Sequence, residues 1–168
     1  MRNESLSHVL QKCPAGHIRR INRHDCLVKK VVDIATKQGW RVEVEPKIRL
    51  RDGQLRIPNL VMSKENVVVC DVEVSSEGNS PLNVAHRNKV AIYSTEPMLQ
   101  ALAALYPGKT ITVEACIMGA RGIWPECNDR LKSILNLTDY NVRELVCKTL
   151  IGSIAIHRAF NTLVHSMG

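Results

Sequence analysis

Hydrophobic residues recur at helical spacing early in the chain, and the spacing changes to two residues after a glycine. Leu27, Val31 and Ile34 lie three to four residues apart, which predicts one apolar face of an amphipathic helix. Asn22 precedes this face, and its side chain can cap free backbone N–H groups. Gly39 can adopt the left-handed conformation that often terminates a helix. The pattern therefore predicts a helix that begins near Asn22 and ends just before Gly39.

Alternating and β-branched segments predict three strands after this helix. They cover residues 41–45, 55–62 and 67–74, and the last is rich in valine. Pro58 lies inside the second segment and cannot donate a hydrogen bond to a neighbouring strand. It therefore predicts an edge or a bulge at that point.

The second half of the chain is mainly helical in pattern. Ser80 as cap and Pro81 at the first helical position predict a helix to about Ser94. Residues 98–106 predict another helix, and residues 110–118 a fourth strand. Helices follow at 127–137 and 139–164, with Thr138 as cap. This order of elements predicts an α/β fold, with a mixed central sheet and helices on both faces.

Composition narrows the class of protein. The 168 residues suit one domain, and with 45% hydrophobic but only 4% aromatic residues the core must be aliphatic. The net charge of +7 favours a polyanionic partner. No apolar stretch approaches the ~20 residues of a membrane span, so we expect no membrane partner. Six scattered cysteines indicate reduced thiols in an intracellular protein.

Oxygen-bearing side chains converge at one point of the predicted sheet. A hairpin centred near Glu65 would place Asn59 opposite Asp71, and Glu73 would share the strand face of Asp71. Buried carboxylates are costly unless paired or metal-bound. Mg²⁺ prefers carboxylates together with water and phosphate oxygens. The residues therefore predict a Mg²⁺ (or Mn²⁺) site of the kind used in phosphodiester hydrolysis.

The following helix adds a cation to this group. His86, Lys89 and Tyr93 share one helix face, and Lys89 would orient an attacking water or stabilise the phosphate. The residues alone also fit a second interpretation. In it, the strand is an exposed edge strand with two solvated acids, and the helix face is an ordinary polar surface.

Four segments, in this order, resemble a known family. Pro58-Asn59, followed after eleven residues by Asp71, resembles the PD…D…K signature of restriction-like endonucleases (the PD-(D/E)xK superfamily). The other segments are HVLQKC (8–13) followed by RINRHD (20–25), AHRNKVAIY (85–93) and GARGIW (119–124). Together they are similar to the C-terminal endonuclease of site-specific non-LTR retrotransposons that insert into ribosomal RNA genes.

The resemblance implies a restriction-endonuclease-like core with a helical C-terminal extension over residues 18–168. Residues 1–17 would be the remnant of a CCHC zinc knuckle and its linker. The implied activity is Mg²⁺-dependent nicking of double-stranded DNA in the nucleus. The nick would prime reverse transcription of the element's RNA by a reverse transcriptase region upstream in the same polypeptide. Asn59, Asp71, Glu73 and Lys89 would be the catalytic residues, with residues 59 and 71 binding the metal.

Two departures from the family pattern matter. The family has aspartate where Asn59 stands, and asparagine offers a carbonyl oxygen without negative charge, so metal binding and catalysis should weaken. Natural decay and deliberate silencing would both produce this asparagine. The alternative function is a catalytically dead DNA-binding module. His8 and Cys13 would be the last two ligands of the knuckle, which would bind Zn²⁺ only with its upstream half.

Basic residues cluster on the first long helix. We expect them to contact the DNA backbone, although a solvated helix face would have the same composition. They are Arg19, Arg20, Arg23, His24, Lys29 and Lys30. A junction-resolving nuclease of similar fold is a further alternative, which would favour a symmetric dimer.

Overall fold

The N-terminal part of the structure, a computed structural model that describes residues 5–77 and 81–166, is helical. Helix α1 spans Leu6–Gln11, a 3₁₀ turn spans Pro14–Gly16, and helix α2 spans His17–Lys37. The predicted start of α2 at Asn22 is wrong. The 3₁₀ turn leads directly into the helix, and Gly16 is buried beside Ile156 of a distant helix. Tertiary packing thus lengthens α2 beyond its sequence signal. Gly39, with φ +83°, follows the helix as predicted.

A mixed sheet forms the centre of the molecule. Its strands are β1 (Arg41–Val44), β4 (Leu60–Ser63), β5 (Val67–Ser75) and β6 (Ile111–Gly119), in the order β1-β4-β5-β6. Strand β4 is antiparallel to both β1 and β5, and β6 is parallel to β5. The predicted mixed α/β architecture is therefore confirmed. A separate antiparallel pair consists of β2 (Ile48–Arg49) and β3 (Leu55–Arg56).

The predicted continuous strand 55–62 is wrong, because the chain breaks at Pro58. Strand β3 ends at Arg56, β4 begins at Leu60, and Asn59 lies in a bend between them. Pro58 has no N–H to donate to a neighbouring strand, so the two halves join different sheets. The backbone oxygen of Asn59 still accepts a hydrogen bond from the Glu45 N–H at 2.9 Å, just beyond β1.

The later helices lie close to their predicted positions. Helix α3 spans Pro81–Tyr93, α4 spans Glu96–Leu105, α5 spans Asp129–Ile134 and α6 spans Asp139–Ser166. The Thr138 hydroxyl accepts a hydrogen bond from the Asn141 N–H at 3.2 Å and caps α6 as predicted. The predicted helix 127–137 is wrong in being continuous: a 3₁₀ turn, Glu126–Asn128, precedes α5. The predicted cap Ser80 lies outside the described residues.

The two faces of the sheet carry different helices. Helices α2, α5 and α6 cover a face that includes Met62 and Val68, while α3 and α4 belong to the side of Val69. Cys70 and Cys116 are buried core thiols, and burial raises the pKa of Cys116 to about 12. All six cysteines are free. Among the helices described, none is both long and apolar enough to traverse a bilayer.

Candidate active site

Asp71 is the buried carboxylate at the centre of the candidate site. It lies within β5, on the face covered by α3, and only 3% of the residue is exposed. Its Oδ1 atom accepts a hydrogen bond from the Asn59 N–H at 3.1 Å. Its Oδ2 atom lies 2.7 Å from Nζ of Lys89. The bend that contains Asn59 and helix α3 therefore hold this carboxylate of β5 in one orientation.

Lys89 supplies the positive charge that a buried carboxylate needs. Burial by itself would lower the pKa of Lys89. The hydrogen bond to Asp71, together with the charges of Asp71 and Glu73, outweighs it and raises the pKa above its ordinary value. Lys89 therefore remains a cation at neutral pH and beyond.

Glu73 is the second carboxylate of the site and is more accessible. It follows Asp71 by two residues, so both side chains lie on the same face of β5. Its Oε2 atom lies 3.6 Å from Nζ of Lys89, and a third of its side chain is exposed. Lys89 thus contacts both acids, and the Glu73 end of the cluster faces solvent.

Asn59 lies opposite Asp71, as the hairpin register predicted. Leu60 pairs with Cys70, so the next pair along the hairpin would be residues 59 and 71. The Asn59 Oδ1 atom accepts a hydrogen bond from the Val72 N–H at 2.8 Å and lies 3.3 Å from His24 Nε2. The amide oxygen must face the Val72 donor, so the Nδ2 amino group occupies the other branch of the side chain.

The other two residues of the predicted α3 face behave differently from each other. The Tyr93 hydroxyl donates to the backbone oxygen of Ile57 at 3.1 Å, beside the site. Burial, then the charge of Asp71, raises the pKa of Tyr93. His86 instead lies 3.5 Å from the buried Glu114 of β6. Tyr93 therefore belongs to the site, and His86 anchors α3 to the far edge of the sheet.

The side chains of Asn59, Asp71, Glu73, Lys89 and Tyr93 line one cavity of about 520 Å³. Its lining combines the strand acids, Lys89 and Tyr93 with residues from the two N-terminal helices. It consists of Gln11, Arg20, Arg23, His24, Ile57, Asn59, Asp71, Val72, Glu73, Val74, Lys89 and Tyr93. The proximity of Asn59, Asp71, Glu73 and Lys89 expected from the sequence is thus present, while their catalytic roles stay a prediction.

The basic residues of α2 do not form one exposed face. Arg23 is buried, at 3% exposure, and its guanidinium donates to Ser153 Oγ at 2.8 Å and to Gln11 Oε1 at 3.0 Å. Burial, and then the charge of Arg20, lowers the pKa of Arg23 to about 10. Placing Arg23 on a solvent-facing DNA surface was therefore wrong, because α6 packs over that side of the helix.

The remaining predicted DNA-contacting residues divide into three groups. Arg19 and Lys29 are exposed, whereas Lys30 pairs with Glu144 of α6 at 2.6 Å. Arg20 and His24 line the cavity beside the acids. His24 was predicted to contact DNA, but its Nε2 atom lies 3.3 Å from Asn59 Oδ1, a contact that the sequence did not predict. Only its spacing of four residues from Arg20 hinted that both would face the same place.

The expected zinc ligands are His8, which lies in α1, and Cys13, which follows the end of α1 by two residues. The backbone N–H of Cys13 donates to the backbone oxygen of His8 at 2.9 Å, and Cys13 is buried. Among the described residues, no three His, Cys, Asp or Glu side chains are grouped to hold a metal ion. Leu10 and Gly16 contact Ile156 of α6. The zinc role of His8 and Cys13, and the boundary at residue 17, stay predictions.

The fold and site define an α/β domain with a carboxylate–lysine cluster at the edge of a polar cavity. Relatives of the chain are retrotransposon proteins. It is 44% identical over 160 residues to a "retrovirus-related Pol polyprotein from type-1 retrotransposable element R2" of Popillia japonica, covering 95% of this chain and 33% of the relative. A second Popillia japonica polyprotein of the same description is 36% identical over 169 residues, covering 99% of this chain and 38% of the relative.

More distant similarity extends to other insects. A polyprotein of the same description from Nasonia vitripennis is 28% identical over 162 residues, covering 95% of this chain and 15% of the relative. The chain thus spans between 15 and 38% of the length of these three relatives. No protein-family model matches it. These homologues are R2 retrotransposon Pol polyproteins.

Proposed function

We propose that this domain is a metal-dependent endonuclease with a restriction-endonuclease-like core, which nicks double-stranded DNA. The single observation that carries the proposal is the contact of Lys89 with both Asp71 and Glu73, at 2.7 and 3.6 Å, beside Asn59 in one solvent-accessible cavity. Carboxylates and a lysine are the groups that bind a cation and stabilise a phosphate undergoing hydrolysis.

The donor set fits a hard divalent cation. Asp71 and Glu73 offer carboxylate oxygens on one strand face, which are the ligands that Mg²⁺ or Mn²⁺ accepts in company with water and phosphate. Such an ion would lower the pKa of a bound water and neutralise charge on the phosphate. Asp71 is the strongest candidate ligand, because it is buried and held by two hydrogen-bonding partners.

The protein side chains would position the substrate and balance its charge. Lys89, already protonated, would face the non-bridging oxygens of the phosphate. In the reaction, a water oxygen bonds to phosphorus, the P–O3′ bond breaks, and O3′ takes up a proton. The products are a 3′-hydroxyl and a 5′-phosphate. Arg20 lines the same cavity and would contact a neighbouring phosphate.

Asn59 is the residue that limits this activity. Its Oδ1 atom is engaged by the Val72 N–H, so the branch left over is an amino group, which repels a cation. Aspartate has the same shape. It would keep the hydrogen bond from Val72 and present a second negatively charged oxygen to the metal.

In the context of its relatives, the nick would start copying of a retrotransposon. The 3′-hydroxyl would prime reverse transcription of the element's RNA by a reverse transcriptase region of the same polypeptide, on chromosomal DNA in the nucleus. The relatives, which are Pol polyproteins of retrotransposable elements, support this role.

A second candidate is a DNA-binding module without nuclease activity. The observation that favours it is that Lys89 already neutralises Asp71 while Asn59 contributes no charge. DNA would then lie over the cavity without being cut.

Nicking of supercoiled plasmid in Mg²⁺ or Mn²⁺ separates the two candidates. We expect the chain with Asn59 to nick slowly or not at all, and Asn59→Asp to accelerate nicking by about 10²-fold or more. The matched control is Asn66→Asp, which adds the same charge in the turn at the other end of β4. Equal inactivity of the unaltered chain and the Asn59→Asp variant at saturating metal would support the binding module instead.

A further inference from the structure

A small basic hairpin projects from the chain immediately before the candidate site. It consists of residues 47–56, which include β2, β3 and the turn between them. Its sequence, KIRLRDGQLR, contains four basic residues and one acidic residue. Apolar and basic residues alternate over residues 47–51, so this first half of the hairpin has an apolar side and a basic side.

The apolar side fixes the hairpin to the domain. Ile48 and Leu50 are 4% and 5% exposed, and both pack in the core cluster that contains Val61, Tyr93 and Met98. The hairpin is therefore packed on the side of the sheet that is covered by α3 and α4. This packing fixes its orientation relative to the cavity.

The turn is also ordered by its own hydrogen bonds. Asp52 Oδ1 accepts from the Gln54 N–H at 2.9 Å, and the Leu50 N–H donates to the Gln54 oxygen at 2.8 Å. Gly53 adopts a φ of +84°, which L side chains rarely do. A ligand that contacts the tip would thus find it preformed and would lose little affinity to ordering it.

The basic side of the hairpin has no acidic partner. Lys47, Arg49 and Arg51 are exposed. Among the described residues, none of the three has a carboxylate within ion-pair distance. By contrast, Lys30, Lys89 and Lys132 each form an ion pair with a carboxylate. Three exposed cations without counter-charges on a rigid hairpin form a surface suited to a polyanion.

The hairpin is adjacent to the cavity along the chain and in space. Arg56 precedes Asn59 by three residues, so their Cα atoms are at most about 11 Å apart. Ile57 lines the cavity, and its backbone oxygen is bonded to the Tyr93 hydroxyl. DNA with one phosphate in the cavity would therefore extend past this hairpin within a few nucleotides.

We propose that the basic hairpin is a DNA-binding element, which holds the phosphates of duplex DNA next to the one in the cavity. The choice of duplex DNA rests on the proposed function. Arg49 and Arg51 are the principal contacts, because both are exposed and follow each other on the basic side. They hold the duplex without reading its sequence, since phosphate contacts carry no base information.

The test compares two charge-removing variants of the whole chain by fluorescence anisotropy with a labelled 30-base-pair duplex in EDTA. Arg49→Gln/Arg51→Gln should weaken binding at low salt and flatten the slope of log affinity against log salt by about 1.8, at about 0.9 per contact. The matched control, Lys64→Gln/Lys109→Gln, removes two charges at the other end of β4 and should change the slope far less. Arg49→Lys/Arg51→Lys should retain the slope of the unaltered chain.

Three outcomes would overturn the inference. They are no change in the hairpin variant, equal changes in the hairpin and control variants, and a change seen with single-stranded RNA but not with duplex DNA. Because binding is measured without metal, the result does not depend on nicking. If Asn59→Asp fails to nick but the slope falls as expected, the nuclease proposal fails and the hairpin inference stands. If Asn59→Asp nicks and the hairpin variant binds normally, only the hairpin inference fails.

Discussion

At the scale of single residues, the important property of Lys89 is that it stays protonated at neutral pH. Because its pKa lies above the ordinary value for lysine, the positive charge of Lys89 is fully present from neutral pH up to that ordinary value, about 10.4. The charge disappears only as the pH rises through the folded-state pKa. Lys89 is therefore a cation in the neutral range, and we propose that it stabilises negative charge rather than removing a proton from water.

This assignment predicts the behaviour of substitutions at Lys89. In the Asn59→Asp background, Lys89→Met should lower the nicking rate by about 10² to 10³-fold, as for loss of other groups that stabilise charge on a reacting oxygen. Lys89→Arg, which keeps the charge, should retain more activity. Between pH 6 and 9 the rate of the lysine form should not fall with increasing pH. A fall that disappears in the arginine form would indicate that Lys89 titrates in this range.

Part of the candidate site was predictable from the sequence because it depends on local geometry. A short polar turn fixes the register of β4 and β5, so Asn59 falls opposite Asp71 without any knowledge of the rest of the fold. Arg23 and His24 were not predictable in the same way. They are adjacent on α2, yet Arg23 is buried against α6 and His24 contacts Asn59. The environments of Arg23 and His24 are set by these contacts with α6 and Asn59, which are at least 35 residues away along the chain.

At the scale of elements, the contact between α2 and α6 is unusually close at one point. Gly152 of α6 faces the side chain of Arg23, and a Cβ atom at this position would lie 2.6 Å from Arg23 Cγ. Arg23 cannot easily move, because its guanidinium is bonded to Ser153, Gln11 and the backbone oxygen of Leu10. The glycine therefore allows the two helices and α1 to meet.

This contact predicts a reversal of the usual effect of alanine in a helix. In an open helix interior, Gly→Ala stabilises by about 1 kcal/mol. Gly152→Ala should instead destabilise the domain by about 1 to 3 kcal/mol, because it overpacks the interface. Urea unfolding of Gly152→Ala, with the exposed Thr162→Ala on the same helix as control, measures this difference. A gain in stability for Gly152→Ala would mean that α2 and α6 pack less closely than described.

Element boundaries show where local signals and packing disagree. The strand pattern at residues 55–62 was interrupted by Pro58, whose missing N–H allowed β3 and β4 to join different sheets. Asn22 was predicted to cap the start of α2. The helix instead begins at His17, because the preceding turn packs on α6. The valine-rich β5 and the capped α6 had unambiguous patterns and agree closely with prediction.

At the scale of the whole molecule, two groups of basic residues contribute to the net charge of +7. One group lies on α2, where Arg19 and Lys29 are exposed and Arg20 lines the cavity. The other group is the basic hairpin. These basic residues suit a polyanionic ligand at the cavity. The sequence alone indicated only the net charge and the basic cluster on the helix, and not their relation to a cavity.

The α2 group predicts its own effect on DNA affinity. Arg19→Gln/Lys29→Gln should flatten the salt dependence of duplex binding by about 1.8 in the log–log slope and weaken binding to all sequences alike. The same anisotropy titration with Lys64→Gln/Lys109→Gln provides the control. An unchanged slope would mean that these residues only solvate the helix. A strong preference of the chain for one DNA sequence would place base recognition in residues assigned here to phosphate contact.

The most direct measurement is plasmid nicking by two proteins purified in parallel, Asn59→Asp and Asn59→Asp/Asp71→Asn. Asp71→Asn keeps the shape of the side chain but removes the charge that would bind the metal and that pairs with Lys89. We expect the first protein to nick DNA in Mg²⁺ or Mn²⁺ and the second to have no metal-dependent activity, with both retaining duplex binding. Equal nicking by both proteins would contradict a catalytic site centred on Asp71.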